Sequence, residues 1–450
     1  MNTAIFRAYD VRGVADQDLT DDVARDLGRA FGSEIRMDGG RRVSLGRDCR
    51  THGARLRAAF LEGLLSTGVD VLDVGVVASP LLYFSVFHHD LDGGVQITGS
   101  HNPPDYNGFK MMSGKRSLHG ERIQALRRRI EDRDFVQGSG SLSEDPVHPA
   151  YVDHVARSLS LGDRRLKVVV DGGNGTGGPP AVDLLERLGV DVVPMFIEMD
   201  GRFPNHHPDP TVEENLVQIR ARVIEEGADL GVAYDGDADR IGVVDERGEI
   251  LWGDRLMIVL SRALLATEPG AAIVSEVKCS RTLFEDIAAQ GGRPIMSRVG
   301  HSIIKERMRE EDALLGGEMS GHIFYRHRWF GFDDAVYTTG RLLEILSAHS
   351  GPLSSLLSGV PSTHVTPEIR LDCPDDVKFR VVDEAVAHFQ QEHRVVDIDG
   401  ARVDFPGGWG LIRASNTQPV IVMRAEAETA EGLQEIRETL EGFVASRWSP

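Results

Sequence analysis

Ile97-Thr98-Gly99-Ser100-His101-Asn102-Pro103 follows the apolar run Gly94-Val95-Gln96 and precedes Pro104-Asp105-Tyr106-Asn107-Gly108. The pattern predicts a strand that ends in an irregular polar turn, with Pro103, Pro104 and Gly108 holding a fixed, non-helical course. The turn offers one hydroxyl, Ser100, beyond the carboxyl end of a strand, where open α/β sheets bind their ligands. A serine beside glycine is by default a turn residue that bonds its own backbone. The serine-hydrolase elbow G-x-S-x-G is absent. His101 could serve Ser100 as a base, although sequence neighbours seldom face each other. The turn gains meaning from three further polar loops.

Upstream of it, Phe6-Arg7-Ala8-Tyr9-Asp10-Val11-Arg12-Gly13 leads to a helix capped near Thr20, strands near Arg42–Leu45 and Val71–Val77, and helices near Gly53–Ser66 and Pro80–Asp90. Strands alternating with amphipathic helices predict βαβ units and a mainly parallel sheet. The Gly- and Ser-rich stretch 137–146 reads as a linker. A second unit starts with the buried-strand signature Leu166-Lys167-Val168-Val169-Val170-Asp171. The segment that follows formally contains G-x-G-x-x-G from Gly173 to Gly178, with Asp191 beyond. Pro179 and Pro180 stand where free amides would meet a pyrophosphate, so it reads as a tight strand-to-helix turn rather than a nucleotide site. A third unit runs from Asp254 to about Ser347, and Ser350–Thr363 marks a boundary before a smaller α+β module. The expected fold is three similar mixed α/β domains, 1–145, 146–250 and 251–360, plus a C-terminal α+β domain, 361–450, around a central cleft.

At 41% hydrophobic and 27% charged residues, composition indicates folded globular material. No apolar run approaches the roughly 20 residues needed to span a bilayer, and the first residues lack a signal-peptide layout. A cytoplasmic protein is expected. Cys49, Cys279 and Cys373 are far apart and lack C-x-x-C spacing, which argues against a disulfide framework and a zinc site. A formal charge of −20 opposes general nucleic-acid binding but permits a small phosphorylated substrate held by local cations. Only six lysines occur, and Lys110 and Lys278 fall within or beside polar loops.

Asp235-Gly236-Asp237-Ala238-Asp239-Arg240 sets three carboxylates at alternate positions between two strands, hard oxygens that suit Mg²⁺ or Ca²⁺. An EF-hand is ruled out by Arg240 at the glycine position and by strand flanks, despite Glu246 at the twelfth position. Gly316-Gly317-Glu318-Met319-Ser320-Gly321-His322 combines a carboxylate, a hydroxyl and an imidazole able to address vicinal hydroxyls. Arg413-Ala414-Ser415-Asn416-Thr417-Gln418-Pro419 offers a guanidinium, hydroxyls, an amide and backbone N–H groups, an inventory for holding phosphate.

Together these loops resemble the α-D-phosphohexomutase family over essentially the whole chain and in the right order. Residues 98–103 resemble its phosphoserine loop, 235–240 its magnesium loop, 317–322 its sugar loop and 413–419 its phosphate loop. The Gly-Glu-Met-Ser-Gly-His form is similar to that of phosphomannomutases and dual phosphomannomutase/phosphoglucomutases. The resemblance implies that Ser100 carries the phosphoryl group and that Mg²⁺ sits on Asp235, Asp237, Asp239 and the serine. It also implies a bisphosphate activator, glucose or mannose 1,6-bisphosphate, and hexose phosphate substrates. Tyr9, Arg12, Lys110, Lys278 and His301 would line the cleft. Arg12, Lys110 and His301 are the proton-transfer candidates, and Arg240 adds to the field. Glu318 and Ser320, with His322 in the same loop, would grip sugar hydroxyls, while Arg413, Ser415, Asn416 and Thr417 hold the non-reacting phosphate. The last module would swing over the cleft to exclude water. A monomer or weak homodimer is expected.

Two rivals use some of the same residues. A metal-dependent sugar-phosphate phosphatase would use the same serine but admit water. A non-catalytic sensor would need the Arg413 and Glu318 loops and have no use for Ser100 beside a metal.

Overall fold

The computed structural model describes residues 1–416 and 418–448, which form four sheets in chain order. The first sheet runs Val11–Val14, Tyr106–Ser113, Gly93–Ile97, Arg42–Arg47, Asp70–Val76 and Leu142–Glu144, with Arg116–Ser117 paired to Tyr106–Ser113. The second is Ile250–Leu251, Ile241–Asp245, Leu230–Tyr234, Lys167–Asp171 and Asp191–Met195, and the third Arg293–Ser297, Ala272–Glu276, Leu315–Gly317 and Ile323–Tyr325. In each, parallel strands linked by helices are followed by one strand that turns back antiparallel, and in the first two sheets Val11–Val14 and Ile250–Leu251 pair antiparallel outside it. The first helix, Asp21–Met37, begins where Thr20 accepts a hydrogen bond from the Val23 N–H, a side-chain N-cap. The last sheet, built on the antiparallel run Ala401–Phe405, Gly408–Ala414 and Val420–Ala427, is backed by helices Asp375–Phe389 and Ala430–Arg447.

This topology gives the four polar loops one address. The Ser100 loop joins Gly93–Ile97 to its antiparallel return, the aspartate loop joins Leu230–Tyr234 to Ile241–Asp245, and the Glu318 loop joins Leu315–Gly317 to Ile323–Tyr325. The Arg413 loop likewise closes the hairpin Gly408–Ala414 and Val420–Ala427. Hairpin loops tolerate irregular backbone while rigid strands fix their ends, so side chains from four domains can be aimed at one place.

Two local expectations are corrected. Tyr106–Ser113 is a buried strand, not a loop, and carries Lys110. Asn107-Gly108 mimics a turn signal, but a Cβ on Gly108 would lie 2.5 Å from the Val11 carbonyl, so glycine serves strand packing. The stretch 137–146 is no free linker, because Leu142–Glu144 pairs in parallel with Asp70–Val76 and a Cβ on Gly140 would meet the Val69 carbonyl at 1.9 Å.

One apolar core runs from Val74 through Leu353 and joins part of the first domain to the second and third; the first domain has a second core, from Ile5 to Ile130, and the last domain one of its own, from Cys373 to Val444. Between the last two lies a small apolar patch of Val277, Trp409 and Leu411. The three cysteines are free thiols. Among the described residues no helix is long and apolar enough to cross a membrane.

Candidate active site

Ser100 sits 2% exposed with a φ of 49°, a left-handed backbone uncommon outside glycine. That twist puts its Oγ 3.1 Å from Nδ1 of His101, so the two neighbours do meet. Ser100 Oγ also donates to Asp235 Oδ2 at 2.6 Å. The strain is held by Arg50, fully buried, whose guanidinium donates to the carbonyls of Ser100 (2.7 Å), Asn102, Pro103 and Tyr106 (3.0 Å). Asp48 pairs with Arg50 at 3.3 Å and accepts from Thr98 Oγ1 at 2.7 Å. A Cβ on Gly99 would lie 2.6 Å from the Arg50 guanidinium, which explains the glycine before the serine.

The aspartate loop presses on this turn, since a Cβ on Gly236 would stand 2.5 Å from the Ser100 carbonyl. Asp235, Asp237 and Asp239 are fully buried, with oxygens within 4.8 Å of one another. The Lys110 ammonium reaches Asp237 at 2.6 Å and also Asp239. Burial opposes its charge, yet the carboxylates of Asp237 and Asp239 hold its pKa well above the ordinary lysine value. Burial and its two acidic neighbours drive Asp235 up. Oδ1 of Asp237 and of Asp239 lacks a hydrogen-bond partner among the described residues. Three buried carboxylates, two of them on one lysine and each of those two with an orphaned oxygen, are a donor set that fits a hard divalent cation. The Gly173–Gly178 turn buttresses this loop: Thr176 N and Oγ1 each donate to the Gly236 carbonyl at 3.1 Å. It is packing machinery, with Asp191 exposed on the neighbouring strand.

The third loop attaches to the second. A Cβ on Gly321, whose φ is 89°, would lie 2.3 Å from the Ile241 carbonyl. Arg240 Nε donates to His322 Nε2 at 3.0 Å, and His301 stacks on His322 with centroids 5.5 Å apart. Glu318 Oε1 accepts from Gly300 N at 2.7 Å, and Ser320 is half-buried in the turn. Burial, with Arg240 and Arg12 next, pulls the His101 pKa well down, and burial with Lys305 lowers that of His301. Both shifts favour the neutral imidazole.

The fourth loop reaches the first domain through Asn416, which donates to Tyr9 Oη at 2.9 Å, while Tyr9 donates to the Val299 carbonyl at 2.8 Å. Arg413 pairs with Asp399 at 3.2 Å and Lys278 with Glu368 at 3.1 Å. Arg12 bonds Asp10 and Asn102. Gln418 N donates to Ser415 Oγ at 3.2 Å, and Thr417 lies outside the described residues. Lys378 Nζ donates to the Ser415 and Gln418 carbonyls at 2.5 and 2.9 Å, pinning the loop from beneath. Sequence reasoning missed Arg50, Asp48, Lys305, Asp333 and Lys378. Each acts through distant backbone or buried partners, and no local pattern marks a charged residue as buried.

Models of the phosphoglucomutase/phosphomannomutase family match the chain in four successive parts: its α/β/α domains I, II and III over residues 3–137, 149–248 and 252–364, and its C-terminal domain over 368–442. A phosphomannomutase/phosphoglucomutase of Pseudomonas aeruginosa is 47% identical over 436 residues, 96% of this chain and 94% of that protein. A phosphoglucomutase of Neisseria gonorrhoeae is 44% identical over 98% of this chain and 97% of its own. The crystal structure of a phosphoglucomutase/phosphomannomutase family protein from Burkholderia thailandensis superposes with a TM-score of 0.94 at 43% identity, covering 99% of this chain and 98% of that one. With four loops at equivalent hairpins and the family's four domains in order, the chain belongs to the phosphoglucomutase/phosphomannomutase family of α-D-phosphohexomutases.

Proposed function

We propose that the protein interconverts the 1- and 6-phosphates of mannose, and also of glucose, through a phosphorylated Ser100 and a hexose 1,6-bisphosphate. The observation that carries this reading is the buried corner where Ser100, three aspartates, Lys110 and His101 converge, with the Glu318 loop joined to the aspartate loop through Arg240 and His322. Relatives of high identity are named as mutases, and a related N-acetylphosphoglucosamine mutase is described in complex with glucose 1,6-bisphosphate. The phosphatase reading has no support among them.

The physical problem is to move a phosphoryl group between two oxygens of one sugar without losing it to water. Phospho-Ser100 gives its group to the free hydroxyl, the bisphosphate turns end for end, and Ser100 takes back the other group. Asp235, Asp237 and Asp239 would hold Mg²⁺, which when bound supplies charge stabilisation for the transferring group. Lys110 and Arg240 add positive field in a corner poor in water. Arg12 and His101 flank the serine, His301 exchanges a proton with the sugar hydroxyl, Glu318, Ser320 and His322 address the sugar, and Tyr9 and Lys278 line the cleft. Arg413, Ser415, Asn416 and Thr417 hold the idle phosphate. Because the substrate binds in two orientations, its recognition is roughly symmetric.

Phosphorus NMR of the protein with Mg²⁺, mannose 1-phosphate and a trace of glucose 1,6-bisphosphate tests this. Conversion to mannose 6-phosphate without free phosphate is expected. Inorganic phosphate as the main product would overturn it, because the cleft would then admit water.

A further inference from the structure

The first-domain helix Ser79–His88 starts against the aspartate loop of the second domain. Ala78 stands at its cap position and supplies no side-chain cap, and Pro80 follows at the helix start. A serine in such a place ordinarily bonds the backbone of its own helix. Ser79, fully buried, reaches across the domain boundary instead. Its N–H donates to the Asp237 carbonyl at 2.9 Å, and its Oγ donates to Asp237 Oδ2. One residue thus grips both the backbone and the carboxylate of Asp237, which holds the side chain in place relative to its own main chain.

The carbonyls on either side of Asp237 are tied as well. That of Gly236 accepts from Thr176 of the second domain, and that of Ala238 accepts at 3.3 Å from the N–H of Ala335, the first residue of the third-domain helix Ala335–Ala348. Three successive carbonyls of the loop are therefore clamped by three domains. Within that clamp the two oxygens of Asp237 are treated differently. Lys110 Nζ also donates to Oδ2, at 2.6 Å, so this oxygen takes two hydrogen bonds, both from the first domain. Oδ1 takes none among the described residues, although it is shut off from water. A buried carboxylate oxygen left without a donor is costly, and such a group in a native structure calls for a missing partner. One oxygen from each of Asp235, Asp237 and Asp239 lies within 4.8 Å of the others, as the ligands of one cation would.

We infer, on the reading that the three aspartates hold Mg²⁺, that Ser79 is a positioning residue of the metal centre: with Lys110 it saturates Oδ2 of Asp237, so that Asp237 meets the cation end-on through Oδ1 alone. Hydrogen bonds to a ligating carboxylate orient it and tune metal affinity. Ser79 does this without a charge of its own, and so without repelling the ion as a second ammonium would. It also acts from the domain that carries the serine nucleophile. The first domain grips the aspartate loop at Asp235 through Ser100 Oγ and at Asp237 through Ser79, which keeps serine and metal ligands in register across the domain boundary.

The test titrates the full-length protein with Mn²⁺ in place of Mg²⁺, the free ion being read by electron paramagnetic resonance. Ser79→Ala should weaken Mn²⁺ binding about 10-fold, the lower end of the range for losing a hydrogen bond to a metal ligand. Thr176→Val removes a hydroxyl from the Gly236 carbonyl and touches no carboxylate, so it should leave the affinity near the wild-type value. Wild-type affinity in Ser79→Ala overturns the inference, and so does an equal loss in both variants, which would mean that any loosening of the loop suffices. A crystal structure of the wild type grown with Mg²⁺ decides the matter even where a variant fails to fold. The ion on Asp237 Oδ1, with Ser79 Oγ still on the other oxygen, is expected; an ion on the oxygen that Ser79 holds, or on both, overturns the role of Ser79. If the wild type binds no Mn²⁺, the metal reading itself fails, a result distinct from equal binding by wild type and Ser79→Ala.

Discussion

The serine corner and the last domain are held by different physics. One apolar core joins domains I to III, the first domain adding a second core of its own, and the Ser100 and aspartate loops are locked to each other by Arg50, Gly99 and Gly236. The last domain keeps its own core and meets the third through a three-residue apolar patch, the Lys278–Glu368 pair and buried guanidiniums. Arg402 donates to the Cys279 carbonyl at 2.9 Å and Arg424 to that of Lys278 at 2.6 Å. Apolar burial is non-directional and scales with area, so it welds, while ion pairs and single hydrogen bonds can be exchanged for water at small net cost. The serine and aspartate loops thus sit in the welded part, and the domain that contributes the phosphate loop is joined to it by polar contacts and a small apolar patch.

Substitutions in the two regions should therefore fail in different ways. Ser100→Ala should abolish turnover, by more than about 10⁴-fold for a lost nucleophile, with an unchanged Tm; residual activity within tenfold of wild type would remove the serine from the mechanism. Arg50→Met removes the ion-pair partner of Asp48 and the side-chain donor of four carbonyls and should cost about 3–5 kcal/mol, read as a fall in the denaturant midpoint together with lost activity. A stable, active variant would mean the serine turn holds its left-handed backbone unaided. On the other side, Arg413→Ala should raise KM about 10- to 100-fold, the value of a charge-assisted phosphate contact, with Tm and phosphorylation of Ser100 preserved; calorimetry that finds substrate binding intact would end its phosphate role.

The two regions should also answer pH with opposite signs. Asp334, buried in the welded body with Tyr151 on its carboxylate, has its pKa pushed up by burial to about 7. Its folded state binds the proton more readily, so its contribution to stability is full below about 4 and is lost as pH rises to about 7. Asp334→Asn should flatten that slope in denaturant midpoints measured from pH 4.5 to 7.5. Glu368, at the contact between the last two domains, is drawn down to about 2, the cations of Lys278 and Arg370 outweighing burial. Its contribution is present above about 4.5 and lost as pH falls towards 2. Glu368→Gln should have the smallest effect, about 1–2 kcal/mol at neutral pH after solvent screening, seen as faster proteolysis of the last domain with the body untouched. Equal loosening of both regions would show that they unfold as one.

What the chain order alone determined is the chemistry and where it is carried. Three alternating α/β units, a different last module and four polar loops are all legible because each rests on neighbours in sequence: periodicity, turn residues, carboxylates two apart. Ser100, Asp235, Asp237, Asp239, Lys110, Glu318 and Arg413 could be named that way. Tertiary structure decided what those groups do to one another. Lys110 stands on a strand rather than a loop, Asn107-Gly108 lies inside that strand, and His101 meets Ser100 only because Ser100 adopts a positive φ. Arg50, Lys305, Asp333 and Lys378 carry no sequence signal, since a buried charge is written with the same letters as a solvated one. Their side-chain hydrogen bonds reach partners 28 to 56 residues away, brought close by strand pairing and burial that no local pattern encodes.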